Sequence, residues 1–484
     1  MLKPGQQVQT MLAGHLLKRG TRLVSSVRPG ISTRSIFTTV QDVTLWPLAI
    51  SSVTYIQDRS ALAAAGIGAI DGVAGASGLS ITINRTGKGK LADLSLDRLD
   101  FYFSEKSKAP LLFDTLFGAC GGVGARQEGR DNPLNPLPAP EMVGISDDEA
   151  LMPRTRETFE GYRLLREYFI APERFHYARV TGMRPVVRRC GREAGIGLPA
   201  SPASFRSLPG LTAKDLELFA TPIINLFERS CSVIELDARR TRQVLHADRT
   251  RPRDFEIYRA VRVEDADAEG SDAEIPALFS LGQNRTNGLV YFTERRPRRP
   301  SEDELRQGQT RTSYLGDDIF ITLSRPAQSK AGRVLKRVEV TALCTNRDLP
   351  ILDDTPSLTL ESGDPVETVQ LLGALRQPWP AIPATLPAGA VEASRADELA
   401  WRFIAQLSLN FLSLAEDGRG VDPLHALLDL YAQRGDPSLS RHVRAICARR
   451  GPTCHRAPAD RWADVLCPRQ RHHAPCRPVG ACRA

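Results

Sequence analysis

Residues Ala220 to Glu264 read ATPIINLFERSCSVIELDARRTRQVLHADRTRPRDFEIYRAVRVE. Pro222 punctuates the start, and Ile223, Ile224, Leu226 and Phe227 form a short apolar cluster. Alternation follows: Ile234, Leu236 and Ala238 share one face while Glu235, Asp237 and Arg239 share the other, the period-two signature of a half-buried strand. Arg239, Arg240 and Thr241 interrupt it, Gln243, Leu245 and Ala247 start a second run, and Phe255, Ile257, Val261 and Val263 make a third. The pattern predicts an antiparallel meander with an apolar inner face and a charged outer one. Nothing in the stretch has the form of a catalytic loop.

The strings TPIINLFE, LDARRT, HADRTRP and FEIY in this stretch resemble the TssF (ImpG, VasA) family of type VI secretion baseplate subunits. The resemblance recurs in order through FTTVQDVTLWPLAI (Phe37 to Ile50), FEGYRLLREYFIAPERFHY (Phe159 to Tyr177), TSYLGDDIFITL (Thr312 to Leu323), VEVTALCTNRDLPIL (Val338 to Leu352), LESGDPVETVQLL (Leu360 to Leu372) and RFIAQLSLNFLSL (Arg402 to Leu414). It implies a structural wedge subunit that pairs as two copies with one TssG, contacts TssK and TssE and docks around the VgrG spike hub. It also implies a cytoplasmic site at the inner face of the bacterial inner membrane and no cofactor. The residues that carry it, and so the candidate signature or interface positions, are Trp46, Pro47, Tyr162, Tyr168, Phe169, Pro222, Asn225, Leu226, Phe227, Arg239, Arg240, Asp248, Arg251, Pro252, Tyr258, Cys344, Asn346, Arg347, Leu349 and Pro350.

A length of 484 residues allows two or three domains with sizeable cores. The net charge of +8 suggests a nucleic-acid or membrane-surface partner until its position is considered. Between Cys447 and Ala484 eight arginines face only Asp460 and Asp464, so this tail holds six of the eight excess charges and the body is nearly neutral. Five of the nine cysteines (447, 454, 467, 476, 482) lie in the same tail. Cys120, Cys190, Cys231 and Cys344 are far apart beside apolar segments, as inert small hydrophobes in a reducing compartment are. The most apolar run, Ala61 to Ile70, is too short to span a bilayer.

The expected fold is α+β: a β-rich, multi-domain wedge with antiparallel meanders and a few amphipathic helices. Residues 1–118 read as a β-rich part, with Pro47 marking an edge strand or bulge and a helix over Ala109 to Phe117. Residues 119–154 are loaded with Gly and Pro and read as a linker. Residues 155–376 read as a central β-rich domain entered by a helix over Thr155 to Ile170, although Met183 to Leu211 has little periodicity. A second linker (377–394) precedes a helical segment (395–446) with Leu399, Phe403, Leu407 and Phe411 on one side.

Candidate chemistry is thin. The glycines at 66, 68, 72, 75 and 78 do not give G-x-G-x-x-G, and a flexible loop is expected there. Asp317/Asp318 and Asp353/Asp354 sit beside Gly or Pro as turn formers do. His176 and His246 have no nucleophile in a G-x-S-x-G context and read as structural. A hydrolase using His246 or Asp317 is the enzymatic alternative to a structural subunit. The arginines 295, 296, 298 and 299 lack interleaved aromatics and read as a solvated loop or protein contact.

The tail cysteines contain no C-x-x-C pair, so no metal knuckle is expected. The run from 447 to 484, dominated by Arg, Pro, Ala, Cys and His, has the composition of a GC-rich gene read out of frame. It predicts a non-native tail after a frameshift near Ile446, and the family resemblance predicts a lost helical segment ahead of Leu16. A non-functional remnant of the gene is therefore a further alternative.

Overall fold

The structure is a computed structural model. It describes residues 1–378 except 28–31, 68, 71–72, 75–76, 119, 121, 128–133, 155–162, 201–209, 238, 269–272, 279–288, 299–311, 313, 325–334, 354–355, and beyond these His425 alone. The first half of the helix expected over Thr155 to Ile170 (155–162), the helical segment expected over 395–446 apart from His425, and the tail lie outside the described residues. The chain divides into two compact units, residues 1–161 with 172–381, and residues 162–171 with 382–484.

In the first unit every strand ladder among the described residues is antiparallel, as the α+β, β-rich expectation requires. Two apolar cores organise these strands. The larger is built from residues between Leu2 and Phe219, with Leu358 returning to it. The smaller runs from Phe227 to Cys344.

Three sheets surround the larger core. A six-stranded one is ordered Leu2–Pro4, Val366–Val369, Leu358–Leu360, Arg22–Ser25, Ile36–Thr39, Ile223–Ile224. A five-stranded one is ordered Asn135–Leu137, Val123–Gln127, Glu193–Ala200, Ser77–Arg85, Leu48–Ile56. A four-stranded one is ordered Glu141–Met142, Tyr177–Val180, Leu99–Phe103, Leu216–Leu218. In Leu99–Phe103 alternation works as it should: Leu99, Phe101 and Phe103 are buried, and Asp100 on the other face holds Arg179 at 2.9 and 3.0 Å.

The smaller core is arranged around Arg337–Thr345. Phe227–Ser230 and Ile234–Glu235 pair with one edge of this strand and Glu256–Asp265 with the other. Arg242–Val244 joins Asp317–Ser324, whose other edge takes Val290–Pro297. The strands of residues 220–264 are therefore not one another's neighbours, which corrects the local meander expected for that stretch. Alternation specifies which side chains go inward; it does not specify the partner, and here the partners lie more than 70 residues downstream, except for Ile223–Ile224, which pairs far upstream with Ile36–Thr39.

Alternation is also interrupted inside Glu256–Asp265. The register slips between Ile257 and Arg259 and again between Ala260 and Arg262, so Tyr258 and Val261 are extra residues at two bulges. Both are exposed, at 41% and 39%, whereas Ile257 and Val263 are buried as expected. Val261 thus departs from its predicted inward face because the ladder gains a residue before it.

Further corrections share one cause, the weight given to glycine and proline. Val123–Gln127 and Asn135–Leu137 lie in the stretch expected to be a linker. Glu193–Ala200, in the aperiodic patch, is a central strand paired on both edges. Its Ala194, Ile196 and Leu198 do alternate inward. Of the intervening glycines Gly197 is required, because a Cβ on it would come within 2.4 Å of the Ile67 side chain. Asp58 caps a short helix, Arg59–Ala64, that ends just ahead of the glycine run expected to be a loop. Pro47 stands between two strands: Val43–Leu45 pairs with His15–Leu17, and Leu48–Ile56 is an edge strand with a bulge between Ile50 and Ser52.

Gly197→Ala is expected to lower stability by about 1–3 kcal/mol through overpacking. Gly373→Ala, with nothing within 4 Å of the new methyl group, should stay within about 0.5 kcal/mol. Denaturant midpoints at unchanged slope check both.

Candidate functional site: a polar junction between two cores

The chain passes from the larger core to the smaller along Phe219–Phe227 and returns along Thr345–Leu358. These two crossings are tied by a pair of asparagines. Asn225 donates from Nδ2 to the Ile36 carbonyl (2.6 Å) and to Asn346 Oδ1 (3.0 Å), and its Oδ1 accepts from the Asn346 backbone N–H (2.7 Å). Asn346 Oδ1 also accepts from the Ile36 N–H (2.8 Å). Its Nδ2 reaches the carbonyls of Arg34 (3.5 Å) and Asp254 (3.4 Å). Asn346 is completely buried, so these groups have no water to replace a lost partner.

The pair draws together four segments distant in sequence: residues 34–36, 225, 254 and 346. Thr33 donates to Asp254, and Arg251 donates to the Thr33 hydroxyl at 3.1 Å. Immediately after Asn346 the backbone turns through Arg347 with φ of 54°, a left-handed conformation uncommon for a non-glycine residue. Leu349 and Pro350 are buried beside it. Thr38 donates to the Leu226 carbonyl (2.9 Å), and Val40 N–H donates to the Pro222 carbonyl (3.0 Å), pinning the outward crossing to the larger core.

Next to this junction lies a titratable cluster. Glu256, 9% exposed, accepts from the Tyr314 hydroxyl (2.6 Å) and the Asp317 N–H (2.9 Å). Arg295 pairs with Asp317 at 3.1 Å and donates to the Tyr258 carbonyl. Arg347 stands 5.9 Å from the Tyr314 ring centroid. Burial, reinforced by Arg298, lowers the pKa of Arg347 from the ordinary guanidinium value, while Glu256 and Asp348 raise it.

Most of the residues nominated from sequence converge on this region or hold its flanks. Phe227 and Cys344 are buried in the smaller core, with Phe227 edge-on to Phe255 at 6.2 Å. Asp248 accepts from the Thr250 N–H and hydroxyl and pairs with Arg229 at 2.9 Å; the Thr250 hydrogen bonds hold its carboxyl below the usual range. Arg229 lies 4.2 Å over the Phe255 ring. Arg251 and Pro252 are exposed on the turn that reaches Thr33. Arg239 and Arg240 are elsewhere, on an exposed turn closed by Asp237. Trp46 and Pro47 are buried in the larger core, where a Cβ on Gly14 would meet the indole at 3.1 Å. Tyr168 and Phe169, on the helix Arg163–Ile170 of the second unit, meet edge-on at 5.6 Å, with Phe169 buried and Tyr168 exposed. Tyr162 lies outside the described residues.

Sequence inspection missed Glu256 and Tyr314, both inside quoted family strings, because neither residue type signals burial. The groups weighed for catalysis have structural surroundings. Asp317 is a strand end held by Arg295. Burial lowers the pKa of His246, and the nearby Arg249 adds to that; burial does the same for His176. An open hollow of about 500 Å³ lies on the five-stranded sheet, lined by Ser52, Thr54, Ser80, Thr82, Arg126 and Glu193 among others, and none of the nominated residues lines it. Among the described residues no cluster of His, Cys, Asp and Glu is arranged to hold a metal, and no helix is long and apolar enough to cross a membrane.

Asn346→Ala leaves the Ile36 N–H without its acceptor and the Arg34 and Asp254 carbonyls without their donor, while Asn225 keeps its bonds to the Ile36 carbonyl and the residue-346 N–H. At about 1–3 kcal/mol for each buried unsatisfied group, a loss of roughly 3 kcal/mol or more is expected. Arg240→Ala, on the exposed turn, should change stability by less than about 0.5 kcal/mol. Chemical denaturation of both variants checks the contrast.

Residues 1–467 match the family model described as "Type VI secretion system, TssF". The match runs past Cys447, where the sequence composition changes. Type VI secretion system component TssF1 of Pseudomonas aeruginosa is 33% identical over 473 residues, covering 93% of this chain and 73% of that protein. A chain in the cryo-electron-microscopy structure of the type VI secretion TssK-TssF-TssG baseplate subcomplex has the same fold, with a TM-score of 0.67 at 19% identity over 92% of this chain and 75% of that one. The chain therefore belongs to the TssF family of the type VI secretion system, as a structural component of the baseplate.

Proposed function

We propose that the chain works as a wedge subunit whose rigid β framework is held by neighbouring proteins, with TssG and TssK as its direct partners. The observation that carries this is the family match over residues 1–467 combined with a fold shared with a chain of the TssK-TssF-TssG subcomplex. The junction supports it: the polar groups between the two cores are consumed in fixing one arrangement of strands, as a load-transmitting element needs. Contacts to TssE, to VgrG and to a second TssF copy, and docking at the inner face of the inner membrane, extend the proposal by family resemblance. So does the absence of catalysis. His246 and Asp317 are better accounted for as structural groups than as members of a hydrolase site, since Asp317 is 8% exposed and ion-paired. The divisions at 376 and 394 belong to the same proposal.

Co-expression with TssG and TssK, followed by size-exclusion chromatography, is expected to give one co-eluting complex, and His246→Ala should leave it intact. A folded chain that elutes alone beside a TssG–TssK complex would sink the proposal. Restoration of secretion in a strain lacking the intact subunit separates a working subunit from a remnant.

A further inference from the structure

The charges around the turn Tyr314–Asp317 are layered. Beneath its surface lie the carboxyl groups of Glu256, Asp317 and Asp348, all buried and all engaged. Glu256 accepts from the Tyr314 hydroxyl (2.6 Å) and the Asp317 N–H (2.9 Å), Asp317 pairs with Arg295 (3.1 Å), and Asp348 accepts from the Thr312 hydroxyl (2.8 Å). Above them lie arginines. Exposed Arg295 donates to the Tyr258 carbonyl, with its guanidinium 5.9 Å from the tyrosine ring centroid. Half-buried Arg347 donates to the Leu315 carbonyl, and the Arg298 N–H donates to the Gly316 carbonyl at 3.0 Å. The turn is thus held from several sides, and the face it presents is cationic.

Arg347 is the unbalanced member of this layer. Its Nε is buried without a hydrogen-bond partner, and among the described residues no carboxylate lies close enough to form an ion pair with it. Burial and then Arg298 oppose its charge, and Glu256 and Asp348, both already engaged, offset this only in part. One unpaired cation among balanced pairs calls for one carboxylate rather than for a polyanion. The apolar half of a contact is also in place. Leu315, whose carbonyl Arg347 holds, is 40% exposed, and Tyr258, turned outward by its bulge beside Arg295, is 41% exposed. Arginine and tyrosine are among the residues most enriched where binding energy concentrates in protein interfaces.

We infer that this face docks an acidic segment of a neighbouring baseplate subunit: an Asp or Glu carboxylate pairs with Arg347, and an apolar side chain beside it covers Leu315 and Tyr258. The inference rests on the reading above, that TssG and TssK grip the chain, and adds where and by what chemistry. Pairing supplies the missing counter-charge. Covering the two apolar tips excludes water from the pair, which strengthens it. A guanidinium already anchored at one N–H keeps its planar fork in place for a carboxylate, so little side-chain freedom is lost on binding.

The affinity of the full chain for the TssG–TssK complex tests this. Leu315→Asp changes an exposed tip and sets an acid beside the arginines, and it is expected to weaken binding by about tenfold or more. Arg347→Lys keeps the charge and puts an amine where the guanidinium was. A carbodiimide, which condenses amines with carboxyl groups, should then join residue 347 to an Asp or Glu of TssG or TssK, read by mass spectrometry of the cross-linked peptides. Leu315→Asp carries the test if residue 347 does not tolerate replacement. Wild-type affinity in Leu315→Asp, or an assembled complex in which residue 347 links to no acid of another chain, would overturn the inference and leave the assembly reading standing. A wild-type chain that binds neither protein would overturn both.

Discussion

A carboxamide buried without water must find its hydrogen-bond partners in the protein, and Asn346 finds them in three separate stretches of chain. That constraint sets the architecture around it. Residues 33–36, 225 and 346 must arrive at one point, so the six-stranded sheet, the outward crossing and the return crossing are fixed relative to one another. The apolar cores on either side supply the bulk of the stabilisation, through non-directional burial. The asparagine pair supplies direction. Its bonds reach the Ile36 amide and carbonyl, so a slip of the 36–39 strand by one residue would break several of them and reverse its faces.

This arrangement explains the character of the recognisable strings. Phe227, Cys344, Asn346, Leu349 and Pro350 are buried, and Asp248 and Arg251 pin turns. Sequence features that mark the family are thus mainly joints of the framework. Tyr168, Tyr258, Arg239 and Arg240 are exposed instead, and they are scattered across different elements.

Much of the fold was legible from residue pattern alone. The alternating runs Leu99–Phe103, Ser77–Arg85 and Asp317–Ser324 are strands, and Ala109–Gly118 is helical, because side-chain periodicity reports directly on which face is buried. What escaped were features set by long-range contact. The pairing of Phe227–Ser230 and Glu256–Asp265 with Arg337–Thr345 leaves no trace in either segment alone. Neither do the bulges that turn Tyr258 and Val261 outward. Glu193–Ala200 was obscured because its glycines resemble loop residues, although one is there to admit Ile67. The junction was half visible: Asn225, Asn346 and Arg347 stood out through their family strings, while Glu256 and Tyr314 acquired meaning only once burial brought them together.

The central claim is that Asn225 and Asn346 act as one unit joining the two crossings. A double-mutant cycle on unfolding free energy, with Asn225→Ala, Asn346→Ala and both together, tests it most directly. The structure predicts a coupling of about 1–3 kcal/mol, the double variant losing clearly less than the two single losses combined. Additive losses within about 0.5 kcal/mol would contradict it, showing that each asparagine serves its own segment and that the crossings are not tied through the pair.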